Sequence, residues 1–115
     1  MIVAGKYLFI VSMDIEPSKE DLFNEIYAEH IGFMQKVPGV GAVRRAKTEA
    51  AAVMIGGEKK PITGEDVPTY TAIYELDSPD VLLSPAWQEA VEAGRWATQV
   101  RPYTKNRHHV LRRVI

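Results

Sequence analysis

An uninterrupted apolar segment near the start of the chain, Tyr7–Leu8–Phe9–Ile10–Val11–Ser12–Met13, places the tightest constraint on the fold. Its residues favour a β-strand, and they do not alternate with polar residues. A strand of this kind is covered on both of its faces. The remainder of the 115-residue chain, or another molecule, must therefore supply two covering layers.

Capping and turn residues divide the rest of the chain into helices and strands. Ser18 is a plausible N-cap for a first helix that runs to about Lys36 and ends at Val37–Pro38–Gly39. Ser78–Pro79 and Ser84–Pro85 each resemble an N-cap followed by proline at the first helical position. The further predicted elements are strands Val40–Lys47, Thr69–Leu76 and Asn106–Val114, a helical turn Pro79–Leu83, and a helix from Pro85 to about Ala93 that stops at Gly94.

The predicted order is β-α-β-β-α-β, which is the split pattern of ferredoxin-like α+β folds. Residues 1–115 form one domain in this interpretation, and residues 49–68 form an insertion. Within it, residues 50–55 extend a strand or form a helical turn, and the segments Gly56–Pro61 and Gly64–Asp66 are loops. Two helices cover only one face of a four-stranded sheet, so we expect a second copy to cover the other face in a sheet-to-sheet homodimer.

Composition excludes several classes of function. The chain has no cysteine, which excludes disulfides, thiolate zinc sites and a cysteine nucleophile, and it fits a reducing cytoplasmic location. The net charge of −1 gives no support for nucleic acid as a partner, although residues 101–115 are locally basic. No segment is long and apolar enough for a membrane span, and the start lacks the pattern of a signal peptide. The three histidines have no metal-ligand spacing, and no cofactor motif is present, so neither a metal nor a cofactor is expected.

Several segments together resemble a known group of proteins. They are Lys6–Asp14, Tyr27–His30, Val37–Val40, Tyr70–Pro79, Trp87 and Trp96–Pro102. On these the chain resembles the dimeric α+β barrel superfamily and, within it, the EthD-like proteins. The resemblance implies a homodimer with a ligand pocket between the helices and the sheet of each subunit. Members of this superfamily include polyketide cyclases, cofactor-independent monooxygenases, muconolactone isomerases and haem-degrading enzymes.

His30 is the residue that most strongly indicates a function. At about 100° per residue it lies in the middle of the apolar arc of the first helix, which also holds Phe23, Ile26, Tyr27 and Met34. Imidazole is costly to bury without partners, and its charge changes near neutral pH. Either His30 is a core residue with a hydrogen-bond partner, or it is a general acid or base.

The remaining candidate residues form a second group around His30. Tyr27 is one turn earlier and either packs or polarises a substrate oxygen, which makes it the second catalytic candidate. His108 and His109 point to opposite faces of the last strand, so at most one of them reaches the pocket. The predicted substrate-binding residues are Tyr70, Tyr74, Trp87, Trp96, Arg101 and His108. Structural packing is the alternative for each aromatic residue, and a surface position is the alternative for Arg101.

These features predict a small homodimeric enzyme that uses acid/base chemistry without a cofactor, as a lyase, isomerase or cyclase, on a hydrophobic aromatic or polyketide-like molecule. One alternative is a non-catalytic dimer that binds a small ligand or takes part in a stress response. Another is a monooxygenase that is cofactor-independent or degrades haem, with His30 or His108 as the axial ligand in the haem case.

Overall fold

A computed structural model describes residues 6–115 and contains one four-stranded antiparallel sheet, a separate two-stranded hairpin and two helices. The elements are β1 (Tyr7–Ile15), α1 (Glu20–Met34), β2 (Val40–Lys47), β3 (Ala51–Ile55), β4 (Glu58–Ile62), β5 (Tyr70–Leu76), α2 (Pro85–Glu92) and β6 (Thr104–Arg113). The main sheet has the strand order β2-β5-β1-β6, so β1 lies in its interior. This is the ferredoxin-like α+β fold that the element order predicts.

The two faces of the main sheet differ in how well they are covered. Val11, Met13 and Ile15 of β1 are buried on the helix side, beside Tyr74 and Leu76 of β5. The residues between them in β1 are only half-buried and form the opposite face. On that face, Ser12 and Thr71 share a hydrogen bond of 3.0 Å between their hydroxyl groups. Within this protomer, therefore, one face of the first strand is covered by protein and the other is not.

The beginning of α1 differs from the expectation. Pro17–Lys19 form a 3₁₀ turn, and Lys19 stands at the N-cap of α1 without a side-chain cap. The prediction of Ser18 as N-cap was wrong, because the proline places Ser18 inside the preceding turn, where its hydroxyl donates to Glu16 at 3.5 Å. Glu20 and Asp21 lie in the first turn, where their negative charges interact favourably with the helix dipole.

The two Ser–Pro caps are confirmed. Ser78 Oγ accepts from the Asp80 N–H at 3.2 Å and begins the 3₁₀ turn Pro79–Leu83. Ser84 Oγ accepts from the Trp87 N–H at 3.1 Å and begins α2. Since α2 has only two turns, its N-cap fixes the position of Trp87.

The segment 49–68 contains the β3–β4 hairpin, in which Gly56 and Gly57 form the turn with φ angles of 60° and 80°. The prediction of a loop over residues 56–61 was wrong beyond these glycines, because the tight turn lets β4 pair with β3. Positive φ at both turn positions suits a two-residue hairpin. Thr48 anchors the base of this hairpin by donating its N–H to Thr69 O at 2.8 Å and its hydroxyl to Pro68 O at 2.8 Å. Every residue of both strands is exposed. Among residues 6–115, no helix has the length and apolar character to cross a bilayer.

Candidate functional site

A cavity of about 220 Å³ lies between the helix face of the sheet and the two helices. The floor is formed by Phe9, Val11 and Met13 of β1. The walls and rim are formed by Tyr27, His30 and Met34 of α1, Trp87 and Val91 of α2, Trp96, and Arg101, Arg107 and His109. The volume lies somewhat below the range of about 300–1,000 Å³ that is usual for small-molecule sites. It therefore suits a molecule of one or two rings.

His30 is the polar centre of this cavity. Its side chain is 5 % exposed, and Nδ1 is buried without a hydrogen-bond partner among the described residues. Burial, together with the positive charge of Arg101, lowers the pKa of His30 from 6.5 to about 4, although the Glu29 carboxylate opposes the change. His30 is therefore a neutral imidazole at physiological pH. The alternative was a core histidine with a hydrogen-bond partner, and the unpartnered Nδ1 argues against that alternative.

Trp96 holds the His30 ring in place. The two rings are stacked, with their centroids 4.8 Å apart and their planes inclined by 22°. Trp96 begins a π-helical turn, Trp96–Val100, in which the Arg101 N–H donates to the Trp96 carbonyl. Wide turns of this kind are rare and are often found at functional sites.

Gly94 allows this connection to approach α1. Its φ is +70°, and a Cβ atom at this position would lie 2.7 Å from Cε2 of Phe33 and 3.0 Å from Oε2 of Glu29. The next residue, Arg95, donates its N–H to Glu29 at 3.4 Å and places its guanidinium 3.5 Å from the same carboxylate. The predicted stop at Gly94 is confirmed, and it brings Trp96 onto His30.

Tyr27 lines the cavity one turn before His30, and the two rings meet edge to face with centroids 5.5 Å apart. Burial raises the pKa of Tyr27, so its hydroxyl remains protonated at neutral pH. On the other side, the Arg45 guanidinium lies 4.5 Å from the Tyr27 ring centroid. Arg45 Nη2 also donates to Asn24 Oδ1 at 2.8 Å, and burial lowers the pKa of Arg45. No sequence pattern indicates this cation–π contact, because Arg45 lies on β2 and Tyr27 on α1.

Two guanidinium groups give the cavity a positive rim. Arg101 donates from Nη1 to both carboxylate oxygens of Glu92 at 3.0 Å, and from Nη2 to the Val91 carbonyl at 3.2 Å. These contacts fix Arg101 beside the cavity. Arg107 of β6 also lines it, and no ion pair of Arg107 is found within residues 6–115. A carboxylate, phenolate or enolate would be attracted to this rim.

The strand histidines are separated by the sheet, as expected. His109 pairs with Val11, lines the cavity and stacks on Phe9 with centroids 5.9 Å apart. His108 pairs with Ser12 and lies on the opposite face. The structure thus places His109 at the cavity and His108 outside it. The register of β6 decides this, and its boundaries could not be fixed from the sequence.

Three of the predicted site residues lie outside the cavity lining. Besides His108, these are Tyr70 and Tyr74, although both tyrosines are buried on the helix side of the sheet. The Tyr70 hydroxyl donates to the Glu20 carboxylate at 2.5 Å, well away from His30. Tyr74 packs edge to face on Trp87, with centroids 5.5 Å apart, and so supports the wall from behind. Burial raises the pKa of Tyr74.

The structure brings together the other predicted residues, namely Tyr27, His30, Trp87, Trp96 and Arg101. It adds Phe9, Arg107 and His109, which sequence reasoning did not select. Within residues 6–115 there is no group of three or more histidine, aspartate or glutamate residues that could hold a metal ion. The arrangement is a small aromatic cavity with one neutral imidazole and a cationic rim, which can bind an aromatic acid or enol and accept its proton.

A ferredoxin-like α+β protein with an aromatic cavity between helices and sheet is the class that this geometry defines. No protein-family model matches the chain, and no curated protein matches it. Solved structures do match it over nearly the whole chain. A candidate antibiotic biosynthesis monooxygenase from Bordetella bronchiseptica is 15% identical, with 96% of this chain and 98% of that chain covered and a TM-score of 0.67.

Two further neighbours have described activities. SnoaB, a cofactor-independent oxygenase from Streptomyces nogalater, is 16% identical, with coverage of 94% and 91% and a TM-score of 0.59. MhuD with bound manganese protoporphyrin is 12% identical, with coverage of 95% and 94% and a TM-score of 0.63; the same protein, from Mycobacterium tuberculosis, is described as a haem degrader. Other matched structures are described as dimeric ferredoxin-like proteins of unknown function. At these identities the likeness establishes the fold, and the activity has to be argued from the site.

Proposed function

We propose that this chain is a small homodimeric enzyme in which His30 accepts a proton from an enolisable or phenolic aromatic molecule. The observation that carries the proposal is the His30 imidazole itself, which is buried, stacked on Trp96 and lacks a partner for Nδ1. Assignment to the EthD-like group and the cytoplasmic location remain predictions.

The electrostatics of the cavity explain how His30, although it is a weak base, could accept a proton from the substrate. An imidazole with a pKa of about 4 is fully available in its neutral form at pH 7. When the bound molecule gives up its proton, the new anion stabilises the imidazolium and offsets the effect of Arg101. Arg101 and Arg107 then hold the anion at the rim, and Tyr27, whose hydroxyl stays protonated, lines the same cavity.

The fate of the anion distinguishes the candidate reactions. Reprotonation at another carbon is isomerisation, and attack on a second group of the same molecule is cyclisation. Reaction with dioxygen is monooxygenation when the CH₂ carbon of the substrate becomes a carbonyl and the second oxygen atom leaves as water, so that the substrate itself supplies the electrons. The cofactor-independent oxygenase among the solved neighbours supports this outcome. The haem alternative is less favoured by the site, since a cavity of about 220 Å³ is small for a porphyrin macrocycle.

The two tryptophans of the chain, Trp87 and Trp96, both line the cavity, so intrinsic fluorescence reports its occupancy directly. We expect 2-naphthol and 2-tetralone to quench this fluorescence in the wild type and in the His30→Leu variant. We expect deuterium exchange at the acidic C1 position of 2-tetralone, followed by NMR in D₂O, only with the wild type. The matched control is Tyr70→Phe, which removes a hydroxyl outside the cavity.

Oxygen consumption measured in parallel would separate a monooxygenase from an isomerase or cyclase. Binding of the probes without exchange in the wild type would favour the non-catalytic ligand-binding dimer. A Soret shift on addition of haem, lost in His30→Leu, would favour the haem alternative.

A further inference from the structure

The β3–β4 hairpin, residues Ala51–Ile62, is an arm that is anchored at its base by Thr48 and exposed along both of its strands. All ten of its strand residues are exposed, although it carries Val53, Met54, Ile55 and Ile62, which are 37%, 65%, 59% and 45% exposed. An isolated two-stranded hairpin is at best marginally stable in water. A regular arm with this many exposed apolar side chains therefore indicates a surface that packs against something.

Both faces of the arm carry apolar side chains. Because paired residues share a face, Ala51, Val53, Ile55 and Ile62 lie on one face, together with the Glu58–Lys60 ion pair of 2.7 Å near the tip. Ala52, Met54 and Pro61 lie on the opposite face with Lys59. The apolar residues thus concentrate along the arm, and the charges lie toward its end.

β6 presents a complementary surface on the main sheet. It is an edge strand that pairs with β1 alone among the described strands, and all its residues after Thr104 are exposed. Val110 and Leu111 are 36% and 41% exposed, and Val114 just beyond the strand is 46% exposed. A ten-residue edge with apolar side chains is a ready template for another strand.

We infer that the arm of one protomer docks along β6 of a second copy of this chain. The inference rests on the homodimer proposed above and identifies what holds it together. In a twofold pair each copy both gives and receives an arm, so the contact is closed and does not propagate.

The area of the sheet supports a second copy as the occupant. A face of four strands, each about eight residues long, covers roughly 500 Å², whereas stable interfaces bury about 800 Å² on each partner. One face of a five-residue hairpin adds about 150 Å², and the surface that receives the other arm adds about the same. The sheet face and two reciprocal arms together reach about 800 Å² on each partner.

This docking has a consequence for the site. Arg107 and His109 line the cavity from β6 and are themselves exposed, so the cavity opens at the β6 edge. An arm lying along that edge would close the opening beside these two residues. Each cavity would then be completed by the other copy.

The test uses the absence of cysteine from the chain, which allows a single introduced thiol to carry a spin label. A nitroxide on Lys59→Cys protein is mixed with ¹⁵N-labelled wild type, and broadening of amide signals is measured in the labelled partner. We expect the strongest intermolecular broadening in residues 106–113. A label at Asp80→Cys, which lies in the turn before α2, is the control and should give a different pattern.

A second measurement addresses the energetics. The Val53→Ser/Ile55→Ser variant alters side chains that are exposed in the protomer, so its secondary structure by circular dichroism should be unchanged. We expect its dimer dissociation constant, from sedimentation equilibrium, to rise at least tenfold. Broadening away from β6, or an unchanged dissociation constant, would overturn the inference and leave the homodimer standing. Wild-type protein that sediments as a monomer would overturn both.

Discussion

His30 should make the stability of this protein depend on pH in a characteristic way. Its pKa is about 4 in the folded chain, whereas the ordinary value of 6.5 applies when the chain unfolds. Between these values the unfolded state binds the proton and the folded state does not. Stability therefore falls as the pH decreases from about 6.5 to about 4, and the effect levels off below that.

The magnitude follows from the two pKa values. At 1.36 kcal/mol per pKa unit, acidification from pH 7.5 removes about 2 kcal/mol by pH 5 and about 3 kcal/mol by pH 4. Because the side chain is only 5 % exposed, solvent screening reduces this little. A loss of this size is a large part of the roughly 5–15 kcal/mol that stabilises a domain.

The assay compares urea unfolding of the wild type and of His30→Leu at pH 7.5, 6, 5 and 4, at one protein concentration. All other ionisable groups are common to the two proteins, so the difference between the two curves isolates His30. At pH 7.5 we expect His30→Leu to be about 1 kcal/mol more stable, since it removes the unpartnered Nδ1. By pH 4 the free energy of unfolding of the wild type should be lower than that of His30→Leu by about a further 3 kcal/mol. Parallel curves from pH 7.5 to pH 4 would refute the assignment of His30 as a buried neutral imidazole.

Three further substitutions test the framework of the cavity. Gly94→Ala should lower the free energy of unfolding by about 2 kcal/mol in urea, because it combines positive φ with overpacking against Phe33. Ser84→Ala should cost about 1 kcal/mol through the lost N-cap and weaken probe binding seen in tryptophan fluorescence, whereas Ser18→Ala, at the position wrongly expected to cap α1, should have little effect. Arg45→Met should cost about 1–2 kcal/mol, because it removes the contact with Tyr27 and the hydrogen bond to Asn24; an unchanged unfolding midpoint would contradict that role.

Local chemistry was sufficient to predict most of the fold. The boundaries of β2 agree with the expectation at both ends, and Ser78, Ser84 and Gly94 mark element ends as predicted. These features depend on interactions within a few residues, which a sequence pattern contains. The start of α1 was mispredicted, also because of a local interaction. Pro17 begins a 3₁₀ turn that includes Ser18, so Ser18 cannot serve as the N-cap of α1.

The composition of the site was harder to predict, since it depends on register and on contacts between distant segments. Periodicity placed His30 and Tyr27 on the buried face of α1, and both line the cavity. The alternation of side chains along a strand shows that His108 and His109 face opposite sides of the sheet. It does not show which of the two faces the cavity. Arg45 reaches Tyr27 across the gap between β2 and α1, and no local signal contains that contact.

The interior of this protein departs from ordinary folding preferences at one place. An imidazole with an unpartnered Nδ1 and the π-helical turn that begins at Trp96 lie together at the same cavity. Each is less favourable than a simple alternative, such as leucine on the helix or an ordinary α-turn. Departures of this kind concentrate at functional sites, because selection for stability alone removes them. If His30 served only to fill the core, leucine would do so with greater stability and without the acid sensitivity. A His30→Leu protein that is more stable and no longer exchanges the tetralone proton would therefore connect the energetic cost of this residue to its chemistry.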